Sequence, residues 1–181
     1  MTSDLYHLYR SLESERHIRL LQIHHGAGPR WKGWTRRGPS FSLVHYSLDD
    51  APPYEAVSYA WGHTARFEKL PMSDGNNLRI TKSVFEAIPY LVDRSETGLL
   101  WLDQICIDQD DLEERGHQVA LMRDVYRGAS RTLIWLGLED RETRLAVSIV
   151  EELWAQVRST SYDFKGKGLT DELLKAFDFD E

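Results

Sequence analysis

The sequence predicts an α/β protein: a partly parallel central sheet flanked by helices, preceded by an N-terminal β extension. From residue 54 onward, short β-favouring segments alternate with segments of helical periodicity. Two of the strand segments, 99–105 and 132–136, are largely apolar runs, as expected of strands buried on both faces. Strands that alternate with helices favour a sheet that is parallel at least in part.

Composition narrows the functional classes. The 181 residues are 41% hydrophobic, enough for one domain with a substantial core, and their net charge of −7 argues against general nucleic-acid binding. The basic run RWKGWTRR at 30–37 is a local exception that could contact nucleic acid, anionic lipid or a partner, and an exposed loop is the plainer interpretation. A single cysteine forms no intramolecular disulfide. Without an apolar signal segment or membrane span, the chain is expected to be cytoplasmic.

Residues 1–53 are predicted to be an extension with short strands at 16–24 and 41–48, separated by a loop rich in glycine and proline at 26–40. The domain proper is predicted to span 54–181. Its last residues, DELLKAFDFDE, form an acidic amphipathic piece with no capping residue after it. We therefore expect the domain to be truncated at its C-terminal end.

The first half of the domain should contain two strands and a helix. Tyr54–Trp61 favours an interior strand, and 78–80 a short one. Ser83 and Glu86 form a capping box that marks the start of a helix. Pro89 falls inside this helix and should kink or shorten it. The apolar face of this helix is Val84, Ile88 and Leu91.

The second half should contain the strand 99–105, a helix, the strand 132–136 and a last helix at 141–157. Asp111 is the predicted N-cap of the first helix, with Glu114 at its third position. Its apolar stripe is Val119, Met122, Tyr126 and Ala129. The corresponding face of the last helix is Ala146, Ile149, Val150, Leu153 and Val157.

Asp103 and Cys106 are candidate site residues. Asp103 lies inside the apolar strand predicted at 99–105, and Cys106 follows directly after that strand. A buried carboxylate is costly unless it is paired, so Asp103 either binds backbone N–H groups or Arg115, or belongs to a site. Cys106 lies between isoleucines, which is typical of a buried cysteine; the alternative is a nucleophile paired with His117 or His63. The sequence has no CxxC, HExxH or GxxxxGK[ST] motif, so we expect neither a bound metal nor a P-loop.

Several ordered blocks closely resemble the signature of the fungal heterokaryon incompatibility (HET) domain. They are YEAVSYAWG at 54–62, LWLDQICIDQ at 100–109, ERxxQV at 114–119, MxxxY at 122–126 and ASRTLIWLG at 129–137. The run HIRLLQI at 17–23 is similar to the family's usual lead-in. Val57 replaces the leucine that is usual in the first block.

The resemblance implies an effector of programmed cell death in non-self recognition, attached to or activated by a nucleotide-binding receptor-type partner. HET domains have been likened to Toll/interleukin-1 receptor (TIR) domains, which have a flavodoxin-like fold. Some TIR domains cleave NAD at the nicotinamide–ribose bond when self-associated, and others act only as adaptors. Two hypotheses follow: an NAD hydrolase that self-associates and needs no cofactor, or a non-catalytic recruitment module.

For a hydrolase, a carboxylate must lie near the ribose as nicotinamide leaves. Asp103 and Glu114 lie in the matched blocks, while the TIR likeness places the catalytic glutamate at Glu151 or Glu152. Caps and ion pairs could equally account for Asp103 and Glu114. The ligand-binding candidates are Ser58, Tyr59, Trp61, Gly62, Cys106, Gln109, Arg115 and Gln118. A hydrolase requires the carboxylates to converge on one pocket, whereas a recruitment module leaves them dispersed or engaged.

Overall fold

The computed structural model describes residues 9–26, 38–138, 148–150 and 152. The chain divides into two compact units, Met1–Leu138 and Glu139–Glu181. In the second unit, residues 148–150 and 152 are helical. The remainder of the helix predicted at 141–157 lies outside the described residues.

The first unit is a mixed α/β structure. Its elements in chain order are β1 (His17–His24), β2 (Ser40–Ser47), β3 (Glu55–Tyr59), β4 (Glu68–Pro71), β5 (Asn77–Ile80), α1 (Lys82–Arg94), β6 (Leu99–Trp101), α2 (Asp103–Cys106), α3 (Leu112–Gly128) and β7 (Arg131–Trp135). Five strands form one sheet in the order β2-β1-β6-β3-β7. β3 runs parallel to β6 and β7, and β1 runs antiparallel to β2 and β6. The predicted α/β class and partly parallel sheet are confirmed.

The N-terminal strands belong to this same sheet. Every residue of β1 pairs with β2, and Leu21 of β1 faces Leu100 of β6. Ile18, Leu20 and Leu21 are fully buried in the core. The segment 1–53 therefore contributes part of the central sheet and much of its apolar surface.

The strand predicted at 78–80 exists, but it lies outside the main sheet. It forms β5, which pairs antiparallel with β4 in a two-stranded ribbon. The ribbon still contributes to the core, because Leu70, Leu78 and Ile80 are buried. The sequence analysis did not identify β4, whose four residues are too few to show a period.

Helix α1 starts two residues earlier than the predicted capping box indicates. Its N-cap is Thr81, whose hydroxyl accepts a hydrogen bond from the N–H of Val84 at 3.4 Å. The Ser83 hydroxyl instead donates to the carbonyl of Ala60 at 2.7 Å. The helix continues through Pro89 to Arg94, so the proline does not shorten it. The predicted apolar face is confirmed as buried.

The strand predicted over 99–105 is wrong in its second half. β6 ends at Trp101, and Asp103 begins the short helix α2. The Asp103 carboxylate accepts the N–H of Gln104 at 2.8 Å, and the Gln109 side chain donates to the Asp103 carbonyl at 2.8 Å. These local hydrogen bonds compete with strand formation, which an apolar pattern does not reveal.

The face of α3 is rotated from the predicted stripe. Its buried residues are Gln118, Leu121 and Val125, whereas Val119 is 54% exposed. The other predicted stripe residues, Met122, Tyr126 and Ala129, are only partly buried. The predicted helical period is correct, but the helix presents a different face to the core. That face includes the buried Gln118, which hydrophobicity alone would place at the surface.

β7 lies at the edge of the sheet formed by the described strands, and one of its faces is exposed, contrary to the prediction of a strand buried on both faces. Among the described strands its partner is β3. Thr132 and Ile134 are exposed, and Ile134 retains 68% of its accessible surface. A continuous apolar run is therefore compatible with one uncovered face in this part of the chain.

Candidate functional site

Asp103 lies just beyond β6, at the edge where the parallel strands end. One carboxylate oxygen accepts hydrogen bonds from the Tyr59 hydroxyl and the Gln104 N–H, each at 2.8 Å. The other accepts from the Trp61 indole N–H at 2.9 Å. Three donors satisfy a half-buried charge without a cation. The predicted ion pair with Arg115 is wrong, because that guanidinium donates to the Gln109 carbonyl at 3.4 Å.

Tyr59 and Trp61 bring the end of β3 to Asp103. Burial raises the pKa of Tyr59 above its ordinary value, and the negative charge of Asp103 raises it further. The phenol therefore stays protonated at neutral pH and acts as a donor. We call Asp103, Tyr59 and Trp61 the Asp103 cluster.

Glu114 is held by a different set of partners. Its carboxylate forms a two-pronged ion pair with Arg19 of β1, with Nη2 and Oε2 2.8 Å apart. It also accepts the backbone N–H of Asp108 at 2.7 Å. Arg19 is fully buried and donates further to the carbonyls of Cys106 at 3.3 Å and Arg10 at 2.6 Å. The pair thus joins α3 to the central sheet.

The capping role predicted for the start of α3 belongs to Asp111. Its side chain accepts the N–H groups of Glu113 at 2.9 Å and Glu114 at 3.1 Å, which confirms Asp111 as the N-cap. Glu114 occupies the third helical position, as expected. Its side chain binds Arg19 rather than returning to the cap.

Asp103 and Glu114 have no hydrogen-bond partner in common. Each is satisfied by neighbours within the first unit. Glu152 is a helical, exposed residue of the second unit. Glu151 lies outside the residues whose side chains are described.

Cys106 is fully buried next to the sheet. Its sulfur accepts the N–H of Leu102 at 3.4 Å, and its thiol donates to the carbonyl of Leu100 at 3.7 Å. Burial raises the pKa of the Cys106 thiol to about 12. A thiol in this state is not a nucleophile at neutral pH. His63 and His117, the proposed partners, are exposed.

Two glutamines of the signature blocks, Gln109 and Gln118, link separate segments of the chain through hydrogen bonds. Gln109 donates to the carbonyl of Asp103, and Gln118 donates to the carbonyl of His17 at 2.9 Å. Gln118 is almost completely buried, and its side-chain oxygen has no partner among the described groups.

Ser58 and Gly62, the remaining ligand candidates, flank the Asp103 cluster. Ser58 is half-buried in β3, and Gly62 is exposed. Gly62 has a φ of 62°, a left-handed conformation that favours glycine regardless of any ligand. A Cβ atom at this position would meet no neighbour within 4 Å.

The described residues of the first unit line surface cavities, and two of them have similar volumes. One, of about 420 Å³, lies beside β2 and is lined by residues that include His45, Met72 and Asp74. The other, of about 430 Å³, lies between the N-terminal segment and the start of α3. Glu114 lines the second cavity, whereas Asp103 lines neither. No group of three or more histidine, cysteine, aspartate and glutamate side chains in the described ranges is arranged to bind a metal.

Sequence reasoning missed two buried charges, Arg19 and Glu55. Glu55 is fully buried in β3 and is bound by Arg131 and by the hydroxyls of Ser95 and Thr97. Each interrupts an apolar strand pattern, the same signal that identified Asp103. Applied throughout the chain, that criterion would have found both.

The signature blocks therefore meet in one folded unit: β3, β6, α2, α3 and β7 all carry part of them. The family model described as "Heterokaryon incompatibility protein (HET)" matches residues 54–173. This chain belongs to the HET family.

A relative in Neurospora crassa supports the assignment. The chain is 34% identical over 134 residues to Heterokaryon incompatibility protein 6, OR allele, and the match covers 67% of this chain and 19% of that relative. The chain thus spans about a fifth of the length of the curated relative it matches. No solved structure matches it significantly. Within the described part of the chain, no helix has the length and apolar character needed to cross a bilayer.

Proposed function

We propose that this protein is a cytoplasmic effector of fungal programmed cell death in heterokaryon incompatibility, and that its HET domain acts by recruiting a partner. Membership of the HET family supports the biological role. The observation that carries the mechanism is the engagement of Asp103 and Glu114. These two carboxylates of the signature blocks are both used to hold the fold together.

The hydrogen-bond geometry supports recruitment over chemistry. Asp103 accepts three donors, and Glu114 accepts a buried guanidinium and a backbone N–H. A carboxylate that stabilises an oxocarbenium ion needs an oxygen directed at the ribose. Using either residue in this way would require breaking bonds between β3, α2, β1 and α3.

NAD cleavage by an assembled form is the second candidate function. The position of the Asp103 cluster favours it, because ligands of open α/β sheets bind beyond the carboxyl ends of the strands. Tyr59 and Trp61 would supply an aromatic wall there, and Asp103 is half-buried rather than sealed. NAD is proposed as the substrate by analogy with the fold of TIR domains.

The test expresses the protein in fungal cells and follows viability and NAD content together. Asp103→Asn preserves the shape of the side chain but removes its charge. Asp108→Asn is the matched control, because the Asp108 carboxylate accepts the N–H of Asp110 and does not belong to the Asp103 cluster. For recruitment, we expect a folded Asp103→Asn variant to kill as the wild type does, with NAD stable until cells lyse.

Purified protein at high concentration provides the complementary measurement. Nicotinamide release that is lost in folded Asp103→Asn, but kept in Asp108→Asn, would overturn recruitment and establish a hydrolase. Circular dichroism and urea unfolding check that each variant is folded. If neither killing nor NAD loss follows expression, the proposed role in cell death is wrong.

A further inference from the structure

Residues 9–13 precede the central sheet and belong to neither a strand nor a helix. Two residues attach this segment to the fold. The Tyr9 hydroxyl donates to the carbonyl of Ile105 at 3.0 Å, and the carbonyl of Arg10 accepts from Nη2 of Arg19 at 2.6 Å. The Tyr9 ring also packs on the Arg19 guanidinium, whose carbon lies 5.1 Å from the ring centre. We call residues 9–13 the N-terminal strap.

The strap is held by few contacts. Arg10, Ser11 and Glu13 are exposed, and Tyr9 is the strap residue that packs against the hydrophobic core. Segments with few buried apolar contacts open locally at a fraction of the free energy of global unfolding. The strap should therefore open more readily than the sheet against which it lies.

Opening the strap leaves no buried charge unpaired. The Arg19 guanidinium keeps its ion pair with Glu114, whose Oε2 lies 2.8 Å from Nη2, and Nη1 keeps the carbonyl of Cys106 at 3.3 Å. Losing the counter-charge would be costly, but at Arg19 only the Arg10 carbonyl and the Tyr9 ring are lost. The opened site presents an N–H donor and a guanidinium face, both suited to a peptide.

The strap has a fixed pivot. The carbonyl of Arg16 accepts the N–H of Leu48 at 2.8 Å, and Nε of its guanidinium donates to Asp49 at 2.9 Å. A turn closes beside it, where the N–H of His17 donates to the carbonyl of Ser14 at 3.0 Å. These bonds keep the turn in place, so that opening is confined to the strap.

Space remains on both sides of the strap. Ser11 lines the cavity of about 420 Å³ beside β2 and also the cavity of about 430 Å³ at the start of α3. The first cavity is lined in addition by Leu43 and His45, and the second by Leu12 and His117. The strap therefore leaves room on either side for the side chains of a different peptide.

We propose that Arg19 and the Ile105 carbonyl form a peptide-binding site, which the strap occupies as an autoinhibitory ligand until an extended peptide of the recruited partner replaces it. The strap itself defines the chemistry of that peptide. A tyrosine covers the guanidinium and reaches Ile105, and the next residue supplies a main-chain carbonyl to Arg19. The inference rests on the proposed function, because it names the surface that recruits.

A synthetic peptide and the full chain test the site. The probe is a fluorescein-labelled peptide with the sequence of residues 9–16, YRSLESER, and fluorescence anisotropy measures its binding. The wild type should bind it weakly but measurably, because its own strap competes at high effective concentration. Tyr9→Ala in the chain weakens that competitor and should tighten peptide binding roughly tenfold or more. Ser11→Ala, at an exposed position of the strap, is the control and should bind as the wild type does.

Tyr9→Phe separates the ring from the hydroxyl, since it keeps the contact with Arg19 and removes the bond to Ile105. In the chain it should tighten peptide binding less than Tyr9→Ala does. In the peptide, Tyr9→Phe should weaken binding less than Tyr9→Ala does. Circular dichroism and urea unfolding check that each chain variant is folded.

Three results would overturn the proposal. In the first, the folded Tyr9→Ala variant binds the peptide no more tightly than the wild type. In the second, Tyr9→Ala binds it but the wild type does not at any concentration, so the strap is a permanent part of the fold. In the third, sedimentation velocity shows wild-type dimers that the peptide dissociates, so the site takes the strap of a second copy. Since none of these readouts uses cell death, failure of this site and failure of the proposed function are distinguishable.

Discussion

Buried charges in this protein are satisfied by neighbours that are distant in sequence. Arg19 binds Glu114 across 95 positions, and Tyr59 binds Asp103 across 44. Arg19 also stacks on the Tyr9 ring, with its guanidinium carbon 5.1 Å from the ring centre. Each of these residues thus links separate elements of the fold, and its substitution should lower the free energy of unfolding.

Glu114→Ala should destabilise the protein strongly. The substitution leaves the Arg19 guanidinium buried without its counter-charge, which typically costs about 3–5 kcal/mol. Urea unfolding measures the change in the free energy of unfolding. Glu113→Ala, in the same helical turn but exposed, is the control and should change stability by about 0.5 kcal/mol or less.

A second comparison separates the ion pair from the packing around it. Arg19→Met/Glu114→Leu removes both charges and should recover much of the loss caused by Glu114→Ala. Equal costs for Glu114→Ala and Glu113→Ala would mean that the buried pair does not stabilise the fold.

Cys106 should be inert towards thiol reagents in the folded state. Burial raises the pKa of its thiol to about 12, so almost no thiolate exists at pH 8, and the sulfur is inaccessible. Ellman's reagent should therefore release no product from the native protein and one equivalent after unfolding in urea. Rapid labelling of the native protein would contradict this environment and revive the nucleophile hypothesis.

At the scale of elements, hydrophobic periodicity identified most helices and strands but not how they are oriented or paired. α3 turns Gln118 inward because its side chain binds the His17 carbonyl. β7 lies at the edge of the described sheet, and its Ile134 face is left exposed. Both differences arise from neighbours that the local sequence does not contain.

The N-cap of α3 should contribute measurably to stability. Asp111→Ala removes the acceptor of two backbone N–H groups and should cost about 1 kcal/mol. Thermal or urea unfolding against Asp93→Ala provides the comparison, because Asp93 is exposed near the C-terminal end of α1 and caps nothing. An Asp111 variant as stable as the Asp93 variant would show that solvent replaces the cap without loss.

Across the whole molecule, Glu55 connects three parts of the fold. Its carboxylate joins β3 to the loop between α1 and β6 through Ser95 and Thr97, and to β7 through Arg131 at 2.6 Å. Burial opposes the charge, but the bonds from Ser95, Glu96 N–H, Arg131 and Thr97 outweigh it and lower the pKa of Glu55. The charged form therefore stabilises the native state.

This lowered pKa gives a pH dependence of definite sign. The contribution of Glu55 is fully present above the pKa of an unfolded glutamate, about 4.3, and is lost as pH falls through the lower folded value. Glu55→Gln should reduce stability at pH 7 by about 2 kcal/mol and flatten the decline in acid. Denaturant unfolding between neutral pH and pH 3 measures both effects.

Glu113→Gln is the control for the acid profile, since its side chain is exposed and unbonded. It should follow the wild-type curve throughout. A Glu55 variant whose stability falls with acid as steeply as that of the wild type would exclude Glu55 as a source of the pH dependence.

The α/β class, the helix cap at Asp111, the buried face of α1 and the HET family could all be predicted from the sequence. These features depend on local residue types or on the order of motifs, and both can be read directly from the sequence. The end of β6 at Trp101 and the place of β7 at the edge of the described sheet became known only from the fold. Contacts between elements decide such features, so no local pattern contains them.

The candidate site divides in the same way. The position of Asp103 inside an apolar run indicated that its carboxylate needs partners, and backbone N–H groups or Arg115 were the predicted ones. The Gln104 N–H is one partner, and the others are the Tyr59 hydroxyl and the Trp61 indole N–H, which only the fold brings to Asp103. Glu114 was identified as a motif residue. Its partner Arg19 was not predicted, because it lies 95 positions away in β1. Composition shows that a charge must be compensated; only the fold decides which side chain compensates it, because that choice depends on proximity in space.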